Sequence, residues 1–201
     1  NVHGGDLEYG RIMARRNIDV FLKSGVDRIV VSSAGCGSAM KEYHQLLADD
    51  PEYAEPAVRF SELTQDITEL LVALPFEPPK ASLNRRVTYQ DPCHLAHAQR
   101  ITAAPRQILQ SIPGLELVEM EDASMCCGAA GLYSVLQKDL AASILDRKMG
   151  HILATGAEQV VTANPGCMMQ IERAFRSSQE NSSVVHVVDV LDDAYRAEEA
   201  K

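Results

Sequence analysis

The 201-residue sequence has no tryptophan, and only 5% of its residues are aromatic. It is therefore poor in the ring platforms on which flavins and nucleobases stack. Positive charge is also scarce: 19 Lys and Arg face 28 Asp and Glu, for a net charge of −9. That balance argues against nucleic-acid binding as the main activity. No apolar run approaches the roughly 18 to 20 residues that cross a bilayer, and no signal-peptide pattern opens the sequence. The five cysteines are an odd number, so they cannot all pair within one chain. With a soluble, acidic composition this favours a reducing compartment and thiols used as ligands.

What is present is ordinary globular material, 46% hydrophobic, arranged as alternating strands and helices. Residues 7–23 read as a helix, with Leu7, Met13, Ile18, Phe21 and Leu22 on one face and Gly25 as its cap. Residues 27–33 read as a strand, followed by the turn Ala34-Gly35-Cys36-Gly37 and a helix over 38–47. Further helices are expected over 55–62 and 67–74. Pro75-Phe76-Glu77-Pro78-Pro79-Lys80 can neither continue a helix nor join a sheet, and reads as a linker. Beyond it come strands at 86–90, 115–120, 158–162 and 184–188. Helices are expected over 105–111, 134–153, from the Cys167 turn to 177, and over 189–197. Leu136, Leu140, Ile144, Leu145, Met149, Ile152 and Leu153 make the apolar stripe of the long helix. The expected fold is α/β: two tandem related halves, each with a small, mainly parallel sheet flanked by helices. The domains are 1–74, a linker at 75–85, and 86–201.

The halves are related by a shift of 131 positions. Residues 14–36 overlay 145–167 without a gap, with identities at Arg16/Arg147, Leu22/Leu153, Gly25/Gly156, Val30/Val161, Gly35/Gly166 and Cys36/Cys167. These fall on the structural punctuation, as in a duplicated domain. The same shift puts the counterparts of Cys126 and Cys127 ahead of Asn1. The expectation is that the sequence begins inside its first repeat, with residues 1–5 as the tail of a lost loop; a degenerate first repeat is the alternative.

Four cysteines occupy three turn signals in the second half: Asp91-Pro92-Cys93-His94, Ser124-Met125-Cys126-Cys127-Gly128 and Asn164-Pro165-Gly166-Cys167. Three turns delivering four thiolates suit a [4Fe–4S] cluster or a structural Zn2+. The adjacent pair favours the cluster. Side chains of neighbouring residues diverge, which suits thiolates on different irons better than one zinc ion. Helix N-termini after Cys127 and Cys167 would face the negative cluster, and Gly128 and Gly166 would let backbone approach it. His94 and His97 flank Cys93, where either could donate to a cluster sulfur, ligate, or cap a helix. Burial as simple small residues is the bland alternative for all four cysteines. Cys36 would be a remnant ligand of the first repeat.

The order Cys93, Cys126-Cys127-Gly128, Cys167 resembles the cysteine-rich CCG domain of glycolate oxidase iron–sulfur subunits, lactate-utilisation proteins and heterodisulfide reductases. The resemblance covers nearly the whole sequence and is greatest to the glycolate oxidase type. It implies an electron-transfer subunit, not catalytic alone, that takes electrons from a flavoprotein subunit oxidising glycolate or another 2-hydroxy acid and passes them toward quinone. It implies a cytoplasmic location, or a peripheral one at the inner face of the cell membrane. Two departures stand out. Heterodisulfide reductase ends its motif in Cys-x-x-Cys, whereas Met168, Met169 and Gln170 follow Cys167 here; and no ferredoxin-like Cys-x-x-Cys-x-x-Cys run is present. The alternatives are a heterodisulfide-reductase-like thiol/disulfide oxidoreductase, or a zinc-binding or metal-free assembly scaffold.

Overall fold

The structure, a computed structural model, describes residues 4–178 and 182–199. Asn1, Val2 and His3 of the expected loop tail lie outside the described residues. The chain divides into two compact units, one up to Leu70 and one from Leu71 onward. No helix among the described residues is long and apolar enough to cross a membrane.

The N-terminal unit runs α1 (Leu7–Lys23), β1 (Ile29–Val31), α2 (Ala34–Lys41), α3 (Tyr43–Leu46), α4 (Ala54–Leu63) and β2 (Thr64–Asp66) into the first residues of α5 (Ile67–Ala73), where the division falls. Asp6 starts α1 by accepting the Tyr9 N–H at 3.0 Å, and Gly25, at φ +69°, lets the chain leave it. β1 and β2 pair in parallel, from Ile29 opposite Thr64 to Val31 opposite Asp66. Thr64-Gln65-Asp66 has no apolar alternation to announce a strand; only its partner and the burial of Thr64 and Asp66 make it one. The expected apolar face of α1 is corrected: Leu7 and Phe21 are exposed, and Gly10, Ala14 and Ile18 are buried. Small residues let α1 approach α4 closely, over a core where Phe60 stacks on Tyr43 at 5.2 Å and meets Phe21 edge-on at 5.9 Å.

The C-terminal unit contains β3 (Arg85–Tyr89), a π-helical turn (His94–Ala98), α6 (Ala103–Gln110), β4 (Leu115–Val118), α7 (Tyr133–Leu136) and α8 (Lys138–Ala154). It ends with β5 (Gln159–Thr162), α9 (Pro165–Ser178), β6 (Ser183–His186) and α10 (Val187–Glu199). The four strands form a parallel sheet in the order β4-β3-β5-β6. Val87, Thr88 and Tyr89 of β3 and Val160, Val161 and Thr162 of β5 are fully buried, as central parallel strands require.

Two expectations are revised here. The helix foreseen over 134–153 breaks at Gln137 (φ −118°, ψ 57°) into α7 and α8. Leu136, Leu140 and Leu153 are exposed, while Ala141, Leu145, Lys148, Met149 and Ile152 face the core. The strand expected to reach Val188 stops at His186, whose Nδ1 accepts the Val188 N–H at 3.2 Å and so starts α10. The proline-rich segment is held on α10: Tyr195 Oη donates to the Glu77 carbonyl at 2.6 Å, and the Lys80 N–H donates to Glu198 at 3.0 Å.

The internal repeat holds in three dimensions. α1 and α8 begin and end 131 positions apart, and so do the starts of α2 and α9. In each unit the next parallel strand, β2 or β6, runs directly into a helix. The N-terminal unit thus repeats the second part of the C-terminal one. Among its described residues, β3 and β4 have no counterpart.

Candidate metal centre

Cys93, Cys126-Cys127 and Cys167 follow β3, β4 and β5 respectively, so all leave the carboxyl ends of neighbouring parallel strands. The chain goes from β3 to β4 on one side, then returns to β5 on the other. A crevice at such a reversal is where open α/β sheets bind ligands.

Side chains lace these loops together. The Gln90 N–H donates to the Val161 carbonyl at 2.9 Å, and Thr162 Oγ1 donates to Gln90 Oε1 at 2.7 Å. The Asp91 N–H donates to the Ala123 carbonyl at 3.1 Å. Arg106 holds Asp91 through two bonds of 2.9 and 2.8 Å, holds Glu119 at 2.8 Å, and lies over the Tyr89 ring at 5.2 Å. Its carboxylate partners push the guanidinium pKa further up. His97 Nε2 is 3.1 Å from the Ser124 carbonyl oxygen. Lys148, fully buried, donates to the carbonyls of Asp122 and Ala123 at 3.0 and 2.8 Å. Burial lowers its pKa to about 8, against the pull of Asp91, Cys127, Cys167 and Asp122.

Within this frame the four thiols interact in series, Cys93 with Cys126, Cys126 with Cys127, and Cys127 with Cys167. Hydrogen bonding to the neighbouring thiols, with burial, raises the Cys93 and Cys127 thiols above the ordinary range. Cys126 and Cys167 are both pulled down, Cys126 by Cys127 and Cys93, and Cys167 by Cys127. Two further donors reinforce the thiolates: the Gly128 N–H lies 3.3 Å from Cys126 Sγ, and Asn164 Nδ2 lies 3.4 Å from Cys167 Sγ. Cys127 and Cys167 are buried in the apolar cluster that includes Met120, Leu145, Met149, Ile171 and Phe175. All five cysteines are free. Among the described residues no group of three or more His, Cys, Asp or Glu side chains is set to hold a metal ion; the sulfurs instead satisfy one another.

The two glycines differ in kind. Gly128 has φ +81°, and a Cβ there would stand 2.5 Å from the Ala141 carbonyl oxygen. At Gly166 a Cβ would stand 3.3 Å from Asn164 Nδ2, crowding the amide that reaches Cys167. His94 Nδ1 lies 3.6 Å from Cys93 Sγ. Cys36, in the first turn of α2, is exposed and belongs to the other unit. Arg147 makes an exposed pair with Asp122 at 3.1 Å.

Sequence reasoning missed Lys148, Asn164 and Gln170 as parts of this site. Lys148 carried a signal: it falls on the line Ala141, Leu145, Lys148, Ile152, the buried stripe of α8. Gln170 lies one helical turn beyond Cys167 and so shares its face.

The fold and its thiol loops define a cysteine-rich module, and the chain belongs to the cysteine-rich (CCG) domain family, which it matches over residues 2–41 and 87–172. The two separate matches fall one in each unit. It is 39% identical to the probable glycolate oxidase iron-sulfur subunit of Bacillus subtilis, over 96% of this chain and 44% of that protein. It is 34% identical to the glycolate oxidase iron-sulfur subunit of Escherichia coli, over 98% of this chain and 47% of that protein. Lactate utilization protein A of Shouchella clausii is 33% identical over 89% of this chain and 74% of its own length. The chain spans about half the length of the two glycolate oxidase relatives.

Proposed function

We propose that this chain is the CCG part of an iron–sulfur subunit, with Cys93, Cys126, Cys127 and Cys167 holding a [4Fe–4S] cluster. The observation that carries the reading is the meeting of four free thiols, from three loops, at one end of one sheet. The donor set fits in its chemistry: sulfur ligands, two N–H donors already aimed at sulfurs, and a backbone at Gly128 with no room for a side chain. Neighbouring thiolates can serve different irons of one cluster, so the set need not enclose a single ion. When bound, such a cluster supplies a reversible one-electron carrier.

The residues around it have definable tasks. Loading requires the thiol protons to leave, because the ligands are thiolates. Lys148 supplies a buried positive charge near Cys127 and Cys167, and the Gly128 and Asn164 donors stabilise anionic sulfur. The Arg106–Asp91 pair fixes the Cys93 loop against the strand end carrying Glu119. The relatives named glycolate oxidase iron-sulfur subunit support placing this module in a complex that oxidises glycolate or a similar 2-hydroxy acid. Its partners there are a flavoprotein subunit, which gives electrons, and a quinone, reached at the inner face of the membrane. A thiol/disulfide reductase reading is weaker, because Gln170 stands where a Cys-x-x-Cys motif would have its second thiol.

The test is metal and sulfide analysis with an absorption spectrum on anaerobically purified chain. About four irons per chain are expected, lost in Cys167→Ser and retained in Cys36→Ser. Zinc without iron in the unaltered protein, or neither metal after reconstitution, would overturn the proposal.

A further inference from the structure

We infer that the Gln170 side-chain amide donates a hydrogen bond to the sulfur-rich group held by the four cysteines and so raises its reduction potential. This rests on the cluster reading above and assigns a residue to the control of that cluster.

Gln170 is 8% exposed, and its Nε2 is buried with no hydrogen-bond partner among the described residues. A buried amide N–H left without an acceptor is destabilising, and native structures keep few of them. Its surroundings say which acceptor is missing. Nε2 lies 3.5 Å from the point where a Cβ on Gly128 would sit, immediately after the Cys126-Cys127 pair. Gln170 also projects from α9 one turn beyond Cys167. The side chain therefore stands close to both thiol-bearing segments, beside a Gly128 backbone that has no room for a side chain of its own. Cys126 already takes the Gly128 N–H, and Cys167 takes Asn164 Nδ2. A sulfur of a bound cluster would supply the acceptor that Gln170 Nε2 lacks.

The internal repeat supplies an independent comparison. At the offset that aligns Cys36 with Cys167, the counterpart of Gln170 is Ala39. The N-terminal unit carries a single cysteine, and no amide at this position. The donor occurs in the repeat where four thiols meet.

The sign follows from electrostatics. Reduction adds negative charge to the cluster, and an N–H directed at its sulfurs stabilises the reduced form more than the oxidised form. Gln170→Met keeps the length of the side chain and removes the donor. Gln170→Glu keeps the shape and replaces the donor with a carboxylate. The full chain and both variants would be reconstituted without oxygen, assayed for iron and sulfide, and titrated electrochemically. Equal loading is expected, with reduction disfavoured about tenfold in Gln170→Met, a fall of about 59 mV for a one-electron couple. A larger fall is expected in Gln170→Glu. Pulsed paramagnetic resonance of the reduced protein in deuterated and ordinary water should show one exchangeable proton coupling fewer in Gln170→Met.

An unchanged potential and proton coupling in a fully loaded Gln170→Met would overturn the assignment and leave the cluster reading intact. Failure of both variants to load, with the fold retained, would overturn the tuning role in favour of one in assembly. If the unaltered chain takes up no iron, the cluster reading fails first and this inference with it.

Discussion

Cys36 and Cys167 occupy the same place in the same motif, yet one is exposed and the other is 3% accessible within a set of four thiols. Each follows a parallel strand and sits in the first turn of a helix, with a Gly-capped helix ahead of the strand. The motif positions a sulfur; it does not make a site. The site requires β3 and β4, whose loops bring three more thiols to the carboxyl edge of the sheet. Around them the C-terminal unit differs at other positions as well. Lys148 stands opposite Asn17 in the repeat and Gln170 opposite Ala39, while His186 and Asp66 each end the last strand of their unit.

The sharpest way to break the comparison is to fill the space at Gly128. An alanine there must adopt φ +81° and place its Cβ 2.5 Å from a backbone oxygen of α8. A backbone carbonyl cannot swing away as a side chain can, so Gly128→Ala should destabilise the C-terminal unit by about 3 kcal/mol. Gly25→Ala in the N-terminal unit meets nothing within 4 Å at φ +69° and should cost only about 1 kcal/mol, the strain of the left-handed backbone. Urea unfolding of both variants checks this. Equal losses would mean that the Ala141 contact is relieved by loop movement and that the close approach at Gly128 is not required.

Next in size is the exchange of Lys148 for Asn17. Lys148 donates to two carbonyls at 3.0 and 2.8 Å in the turn that leads to the cysteine pair, where Asp122 has φ +50°. Lys148→Met fills the same space but leaves those carbonyls without their donor, and a loss of about 2 kcal/mol is expected. Asn17 makes one neutral bond, from Nδ2 to Tyr43 Oη at 2.9 Å, so Asn17→Ala should cost about 1 kcal/mol. Amide hydrogen exchange gives the finer readout: Lys148→Met should speed exchange over residues 122–128 selectively. Uniform exchange across the unit would show that Lys148 supports the fold in general and not this turn.

Much of this architecture is legible in the sequence because its signals are local. The Gly caps, the Gly-Cys turns and the apolar strands 27–33 and 158–162 define the repeat and the α/β class, and the cysteine spacing locates the candidate site. What stays hidden depends on partners distant in the chain. β2 is a strand only because β1 pairs with it. The break at Gln137 lies within a continuous helical pattern, and Leu136, Leu140 and Leu153 read as core although they are exposed. Lys148 is a cation on the buried stripe of α8, and its type masks what its position shows. The bidentate Arg106–Asp91 bond spans 15 residues and has no sequence signature.

The smallest expected effect concerns the residues that end the last strand of each unit. In the N-terminal unit Asp66 is buried; its Oδ1 accepts the Thr68 N–H at 2.9 Å and Thr68 Oγ1 at 2.6 Å, while Oδ2 has no partner among the described residues. Burial raises its pKa, Glu69 adds to the rise, and Thr68 and Lys41 oppose it. A carboxyl raised in this way binds its proton more tightly folded than unfolded. Its contribution to stability is therefore present in acid and is lost as the pH rises through the folded pKa. Asp66→Asn keeps an oxygen for Thr68 and removes the charge. The variant should be the more stable protein at neutral pH, by a margin that closes on acidification. His186 starts α10 from the corresponding position with a ring nitrogen, accepting the Val188 N–H without a carboxylate. Urea unfolding of wild type and Asp66→Asn from the acid range to neutral pH measures the margin. A variant less stable than wild type at neutral pH would mean that the ionised carboxylate, through Thr68 and Lys41, contributes more than its burial costs.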